Sequence, residues 1–202
     1  MAAWFPGRIF SVLVLYMLPG VSAVAAASAT GPSTEQLALL LEKFSENRAQ
    51  LGNTRHVALL NYRQPSWEPR FYIIDPDTKQ VLQRYVVAHG RGSDPDHDGY
   101  ADRFSDRAES RKSSLGFFVT GDTYMSESRG HGLSMRLRGL SRTNRNAMER
   151  NIVIHANWYM EPDFLAERRV PGRSYGCLVF SDRDRNEVIE ILKGGALIYA
   201  TY

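Results

Sequence analysis

Gly172-Arg173-Ser174-Tyr175-Gly176-Cys177-Leu178-Val179-Phe180 is the stretch around which this chain is best read. Its last four residues form an apolar run bounded by Gly176 and by Ser181-Asp182, which predicts a short strand entered through a tight turn. Gly176 lets the backbone turn sharply and lets a second molecule come close. Cys177 is the only cysteine among the 202 residues, so it has no internal disulfide partner. It is a buried apolar residue, a link between two chains, or a thiol kept for chemistry.

A nucleophilic thiol needs a base, donors for an oxyanion, and access to substrate. His155 is the best base, because it ends the apolar run Ile152-Val153-Ile154-His155 and a rigid strand would carry it. The 22 positions from His155 to Cys177 leave room for one excursion and return, so the two strands can be neighbours. The N–H groups of Tyr175, Gly176 and Cys177 are the oxyanion candidates. A histidine at a strand end is also a common structural residue, and spacing alone leaves both readings open.

Outward from this pair, most of the chain reads as strands. Val57 to Tyr62, Arg70 to Ile74, Val81 to Ala88, Leu115 to Thr120, Leu133 to Leu137, Asn151 to His155, Cys177 to Phe180 and Ala196 to Tyr202 are short apolar or alternating runs. Asp75-Pro76-Asp77-Thr78 predicts a hairpin turn. Ser33-Thr34-Glu35-Gln36 is a capping-box pattern opening a helix from Thr34 to about Gln50. Val188, Ile191 and Leu192 give a second, short helix, capped by Ser181 or Asp182 and closed by Gly194-Gly195. Residues 89–114 carry no apolar period and predict a long functional loop. The fold class is mainly β, as two packed sheets or a partly closed barrel with a few short helices.

The N-terminus reads as an export signal over residues 1–25, with Arg8, the apolar run Ile9 to Leu18 and small residues around Ala23 to Ala27. Pro19-Gly20 stops that run short of the roughly 20 residues a membrane span needs. The expectation is therefore a periplasmic or secreted protein with no stable membrane anchor after cleavage. Residues 26–54 form a leader and helix, and residues 55–202 one domain. The 25 Lys and Arg against 22 Asp and Glu are too balanced for a nucleic-acid binder.

Asp94, Asp96, Asp98 and Asp102, with Gly99, fit positions 1, 3, 5, 9 and 6 of a calcium loop. Ser105 stands where the bidentate Glu belongs, so a solvated Asp-rich loop is the preferred reading and calcium the weak one. His131, between two glycines, is a candidate cleft residue.

Val153-Ile154-His155 followed by Gly172-Arg173-Ser174-Tyr175-Gly176-Cys177 resembles the catalytic signature of the YkuD-like L,D-transpeptidases, in particular the murein L,D-transpeptidase catalytic-domain branch. Three further stretches resemble that branch: Val87 to Ser93, Ser113 to Phe118 and Gly130 to Leu137. The resemblance implies an L,D-transpeptidase-like β-sandwich of mixed sheets. It implies that Cys177 attacks the third residue of a peptidoglycan stem peptide, that His155 takes the thiol proton, and that the carbonyl of Ala156 orients the imidazole. Ser174 would shape the turn. Arg173 itself reads either as a partner for a stem carboxylate through its planar fork or as a solvated surface arginine. Carbapenem-type β-lactams would acylate Cys177, and no cofactor is implied. Departures from the family pattern are Tyr175 where His is common, Ala156 where Gly is, and Leu178 where Pro is; they bear on specificity. A carboxypeptidase that passes the acyl group to water, a non-catalytic peptidoglycan-binding module, and a dimer joined through Cys177 are the alternatives.

Overall fold

The computed structural model describes residues 1–2 and 31–202. The export-signal reading lies outside the described residues. No described helix is long and apolar enough to cross a membrane.

The capping box forms as expected: Ser33 Oγ accepts the Gln36 N–H, and the Gln36 side chain accepts the Ser33 N–H. It opens α1 (Thr34–Asn47), which passes into a 3-10 turn over Arg48–Gln50. Eight strands follow: β1 (Val57–Asn61), β2 (Phe71–Ile74), β3 (Val81–Tyr85), β4 (Gly116–Met125), β5 (Leu133–Gly139), β6 (Val153–Ala156), β7 (Leu178–Phe180) and β8 (Leu197–Thr201). A 3-10 turn at Trp158–Met160 and α2 (Pro162–Arg168) fill the gap between β6 and β7, and α3 (Asp182–Leu192) follows β7. The mainly-β class holds.

The strands join in one mixed sheet, in the order β3-β2-β1-β8-β4-β5-β6-β7. The pairs β1–β8 and β6–β7 are parallel and the rest antiparallel. Central strands are buried on both faces, which is why they read as unbroken apolar runs. In β1, Ala58 and Leu60 enter the large core while Val57 and Leu59 meet Leu40 and Phe44 of α1. Helix α3 adds Val188, Ile189 and Leu192 to the large core.

The sheet rolls up around that core. At about 4.8 Å per strand, β2 and β7 would lie about 29 Å apart in a flat sheet. Yet the rings of Phe71 and Phe180 meet edge to face with centroids 5.2 Å apart. The segment after β3 closes the roll with backbone bonds. Ala88 N–H donates to Val179 O (2.9 Å), Ser174 N–H to His89 O (2.8 Å) and Arg91 N–H to Ser174 O (2.8 Å). The expected choice between packed sheets and a partly closed barrel thus resolves into one rolled sheet with a seam at β7.

Candidate functional site

The seam brings the two sequence candidates together. In the parallel pair β6–β7, Ile154 faces Leu178 and His155 faces Val179. Ile154, Leu178 and Phe180 enter the large core. Alternation then turns His155 and Cys177 to the other face, where both line a cleft of about 440 Å³.

His155 is 3% exposed, and its Nδ1 lies 2.8 Å from the Ala156 carbonyl oxygen. A carbonyl only accepts, so Nδ1 carries the proton and neutral His155 keeps its lone pair on Nε2. Burial pushes the His155 pKa down to about 4; the Ala156 carbonyl opposes this, and the nearby His131 and Arg185 reinforce it. His131 lies face to face on His155, with ring centroids 3.7 Å apart and planes at 20°. Its own backbone is fixed, since the His131 carbonyl accepts Ala156 N–H (3.3 Å) and the buried Arg185 Nη1 (2.6 Å).

Cys177 is half-buried, and its Sγ donates to the Asn151 carbonyl at 3.5 Å. Burial pushes the thiol pKa up, against a hydrogen bond from Val153 N–H and the positive charge of Arg150. The cleft therefore holds a neutral thiol and a neutral imidazole at rest. The turn before it is built by Ser174, whose Oγ accepts Gly176 N–H (3.0 Å) and donates to Cys177 O (2.8 Å). Gly176 has φ +123°, and a Cβ there would stand 2.8 Å from Lys112 O and 2.9 Å from Ile152 Cδ1. Only glycine fits. Of the three oxyanion candidates, Gly176 N–H is thus engaged by Ser174, whereas Tyr175 is 61% exposed at the cleft mouth.

Sequence reasoning missed Arg150, Asn151, Arg91 and Tyr159, all of which line the cleft. Arg150 fastens the long loop beneath Cys177: it donates to Ser105 O (3.0 Å), Ser114 Oγ (2.6 Å) and Lys112 O (2.7 Å), and lies 3.7 Å from Asp106. No periodic pattern marks Arg150, so only its distant partners reveal its role. Tyr159 comes from the unpredicted 3-10 turn before α2, a helix begun by Pro162 and carrying no buried residue.

The long loop is irregular but packed. Gly92 N–H donates to Arg111 O (2.9 Å), and a Cβ on Gly92 would stand 2.3 Å from Ser110 O. Asp94 departs from the solvated-loop expectation, being fully buried. Its Oδ2 lies 2.9 Å from His89 Nε2 and accepts Gly99 N–H, and its Oδ1 accepts Asp98 N–H. Arg70, also fully buried, donates Nη2 to His89 Nδ1 (2.9 Å), so His89 presents its proton at Nε2 to Asp94. Burial holds the His89 pKa near 4. Asp94, Asp96 and Asp98 come within 4.8 Å of one another, and Asp102 stands apart beside Arg103. Both Asp94 oxygens are engaged, so Asp94 with His89 is an internal clasp for the loop, while Asp96 and Asp98 are exposed. Arg173 Nη1 ties the clasp to the cleft by donating to the Asp94 carbonyl.

Similar solved structures include an L,D-transpeptidase from Mycobacterium smegmatis, at 11% identity over 73% of this chain and 59% of that one, with TM-score 0.44. The helical cell shape determining protein Pgp2 from Campylobacter jejuni aligns at 12% identity over 82% of this chain and 54% of that one, TM-score 0.44. The LD transpeptidase LdtMt1 in complex with imipenem aligns at 11% identity over 73% and 59%, TM-score 0.41. This chain therefore spans less than two thirds of the length of each. No curated protein matches it. The L,D-transpeptidase catalytic-domain family matches residues 29–201, and the chain belongs to that family.

Proposed function

We propose that this protein is an exported L,D-transpeptidase that acts on peptidoglycan stem peptides through a Cys177 thioester. The observation that carries the reading is the 2.8 Å bond between His155 Nδ1 and the Ala156 carbonyl oxygen. The Nδ1–H is held by Ala156 O, which leaves Nε2 basic in the cleft that Cys177 shares. Family membership supports the same reaction class.

In the first step the Cys177 proton moves to His155 Nε2 as Sγ bonds to the carbonyl carbon of the third stem residue. The free N–H groups of the Tyr175–Cys177 turn serve the resulting oxyanion. Collapse breaks the bond to the terminal D-residue, whose amine leaves with the proton from His155. In the second step an acceptor amine attacks the thioester, His155 takes its proton, and the thiolate of Cys177 is reprotonated. The product is a 3→3 cross-link or an exchanged terminal D-amino acid. Carbapenem-type β-lactams would be opened by the same thiol.

The test is incubation of the protein and its Cys177→Ala variant with disaccharide-tetrapeptides, with and without a D-amino acid, read by mass spectrometry. Cross-linked dimers or exchanged termini are expected from the unaltered protein alone. Tripeptide as sole product would make water the acceptor and the protein a carboxypeptidase. Equal turnover by the variant would sink the mechanism.

A further inference from the structure

The cleft is lined by three guanidinium groups, those of Arg91, Arg150 and Arg173, and by no carboxylate. These three differ in what they already hold. Arg150 is committed to the loop through Ser105, Ser114 and Lys112 and sits beside Asp106. Arg173 gives one N–H to a neutral acceptor, the Asp94 carbonyl, and has no ion pair among the described residues. The half-buried setting of its guanidinium leaves the rest of its fork open to the cleft. Arg91 makes no side-chain hydrogen bond or ion pair among the described residues. Its backbone, by contrast, is fixed by Arg91 N–H donating to Ser174 O at 2.8 Å.

Arg91 is thus bonded through its backbone to Ser174, Arg173 directly precedes Ser174 in the chain, and neither has an ion pair among the described residues. The chain has acids enough to neutralise them, with 22 Asp and Glu, and it places these elsewhere. Arg91 is exposed and Arg173 half-buried, and both line the cleft, so an anion bound there would be attracted by both charges. A guanidinium fork matches a carboxylate in plane and spacing.

We propose that Arg91 and Arg173 form a clamp for a carboxylate of the bound stem, so that the protein selects stems in which that carboxylate is free over stems in which it is amidated. This rests on the reading of the site as a stem-peptide enzyme and names the group it recognises. A tetrapeptide stem offers three sources: the carboxylate of the second residue, a side-chain carboxylate of the third, and the terminal one.

Calorimetric titration of the Cys177→Ala protein separates binding from turnover. Four synthetic stems serve as probes: one with all three carboxylates free, and three amidated singly at the second residue, the third residue or the terminus. One of the three amidations should weaken binding on the order of tenfold, the effect of losing a charge-assisted contact, and it identifies the carboxylate held. Adding Arg91→Gln should weaken the free stem by a similar factor and erase its advantage over that amidated form. Arg91 has no side-chain hydrogen bond or ion pair among the described residues to lose, so an unchanged melting temperature is expected for this variant. Arg173→Lys, which keeps the charge without the fork, should fall between. Equal binding of all four stems, or a full preference retained in Arg91→Gln and in Arg173→Lys, would overturn the clamp while leaving the stem reading intact. Failure of all four stems to bind would remove the stem reading and the clamp together.

Discussion

The imidazole of His131 lies flat on that of His155, 3.7 Å between centroids, and packs against the ring face, perpendicular to the plane in which the His155 nitrogens make hydrogen bonds. His131 also lowers the His155 pKa. Replacement by Ala should cut turnover and move the acid limb of the pH–rate profile to higher pH, because His155 then protonates more readily. Replacement by Phe should restore ring support and most of the turnover while keeping the shifted limb. A limb that stays in place in both variants would show that the stack does not tune the base.

The Cys177 thiol should react slowly at neutral pH. Burial raises its pKa above the ordinary thiol range, and the Val153 amide and Arg150 only partly offset this. Its alkylation by iodoacetamide, followed by mass spectrometry, should climb steadily past pH 8. A rate that reaches its plateau below pH 7 would point instead to a preformed thiolate.

Arg150 is the fastener of the long loop near Cys177, with its side chain only 4% exposed. Arg150→Met should destabilise the protein by about 3 kcal/mol, since three acceptors and Asp106 lose their partner. Arg150→Lys keeps a charge but cannot reach Ser105, Ser114 and Lys112 at once, and should recover less than half of that loss. Urea unfolding of both variants measures it.

Stability should fall with acid well before the carboxylates titrate. His89 and His155 both have folded pKa values near 4, depressed from an ordinary 6.5. Between those values the unfolded chain binds more protons than the folded one. The stability from neutral burial is thus fully present above about pH 6.5 and is lost as pH falls toward 4. His89→Gln should flatten the slope of melting temperature against pH across this window, and an unchanged slope would remove His89 from the account.

Strand positions were legible because burial on one or both faces leaves a pattern in the chain. Val57–Asn61 and Leu197–Thr201 are apolar runs for that reason, and the Gly176 turn announced itself by its neighbours. The far half of β4 was not legible: beyond Thr120 its ladder shifts register, and Asp122 and Thr123 face solvent. Helix α2 buries nothing and so has no apolar stripe to read. That the strands carrying His155 and Cys177 could be neighbours was legible in their spacing, but the groups around the two residues were not. His131 reaches His155 through a tertiary stack, and Arg150 finds its partners 36 to 45 residues away. Asp94 looked like a solvent residue because its neighbours are acidic, and only the fold puts His89 and Arg70 around it.

The seam of the rolled sheet has a thermodynamic consequence. Cys177 and Ser174 stand on one lip and Arg91 on the other, and three backbone hydrogen bonds near them join the lips. Fewer backbone bonds join this edge than hold the eight-stranded ladder, so it is expected to open before the ladder melts. Activity would then fade on warming before the fold does, with the amides of Ala88, Arg91 and Ser174 exchanging ahead of those in β1 and β8. On the proposed function, loss of the cleft and loss of the fold would then be two separate thermal events.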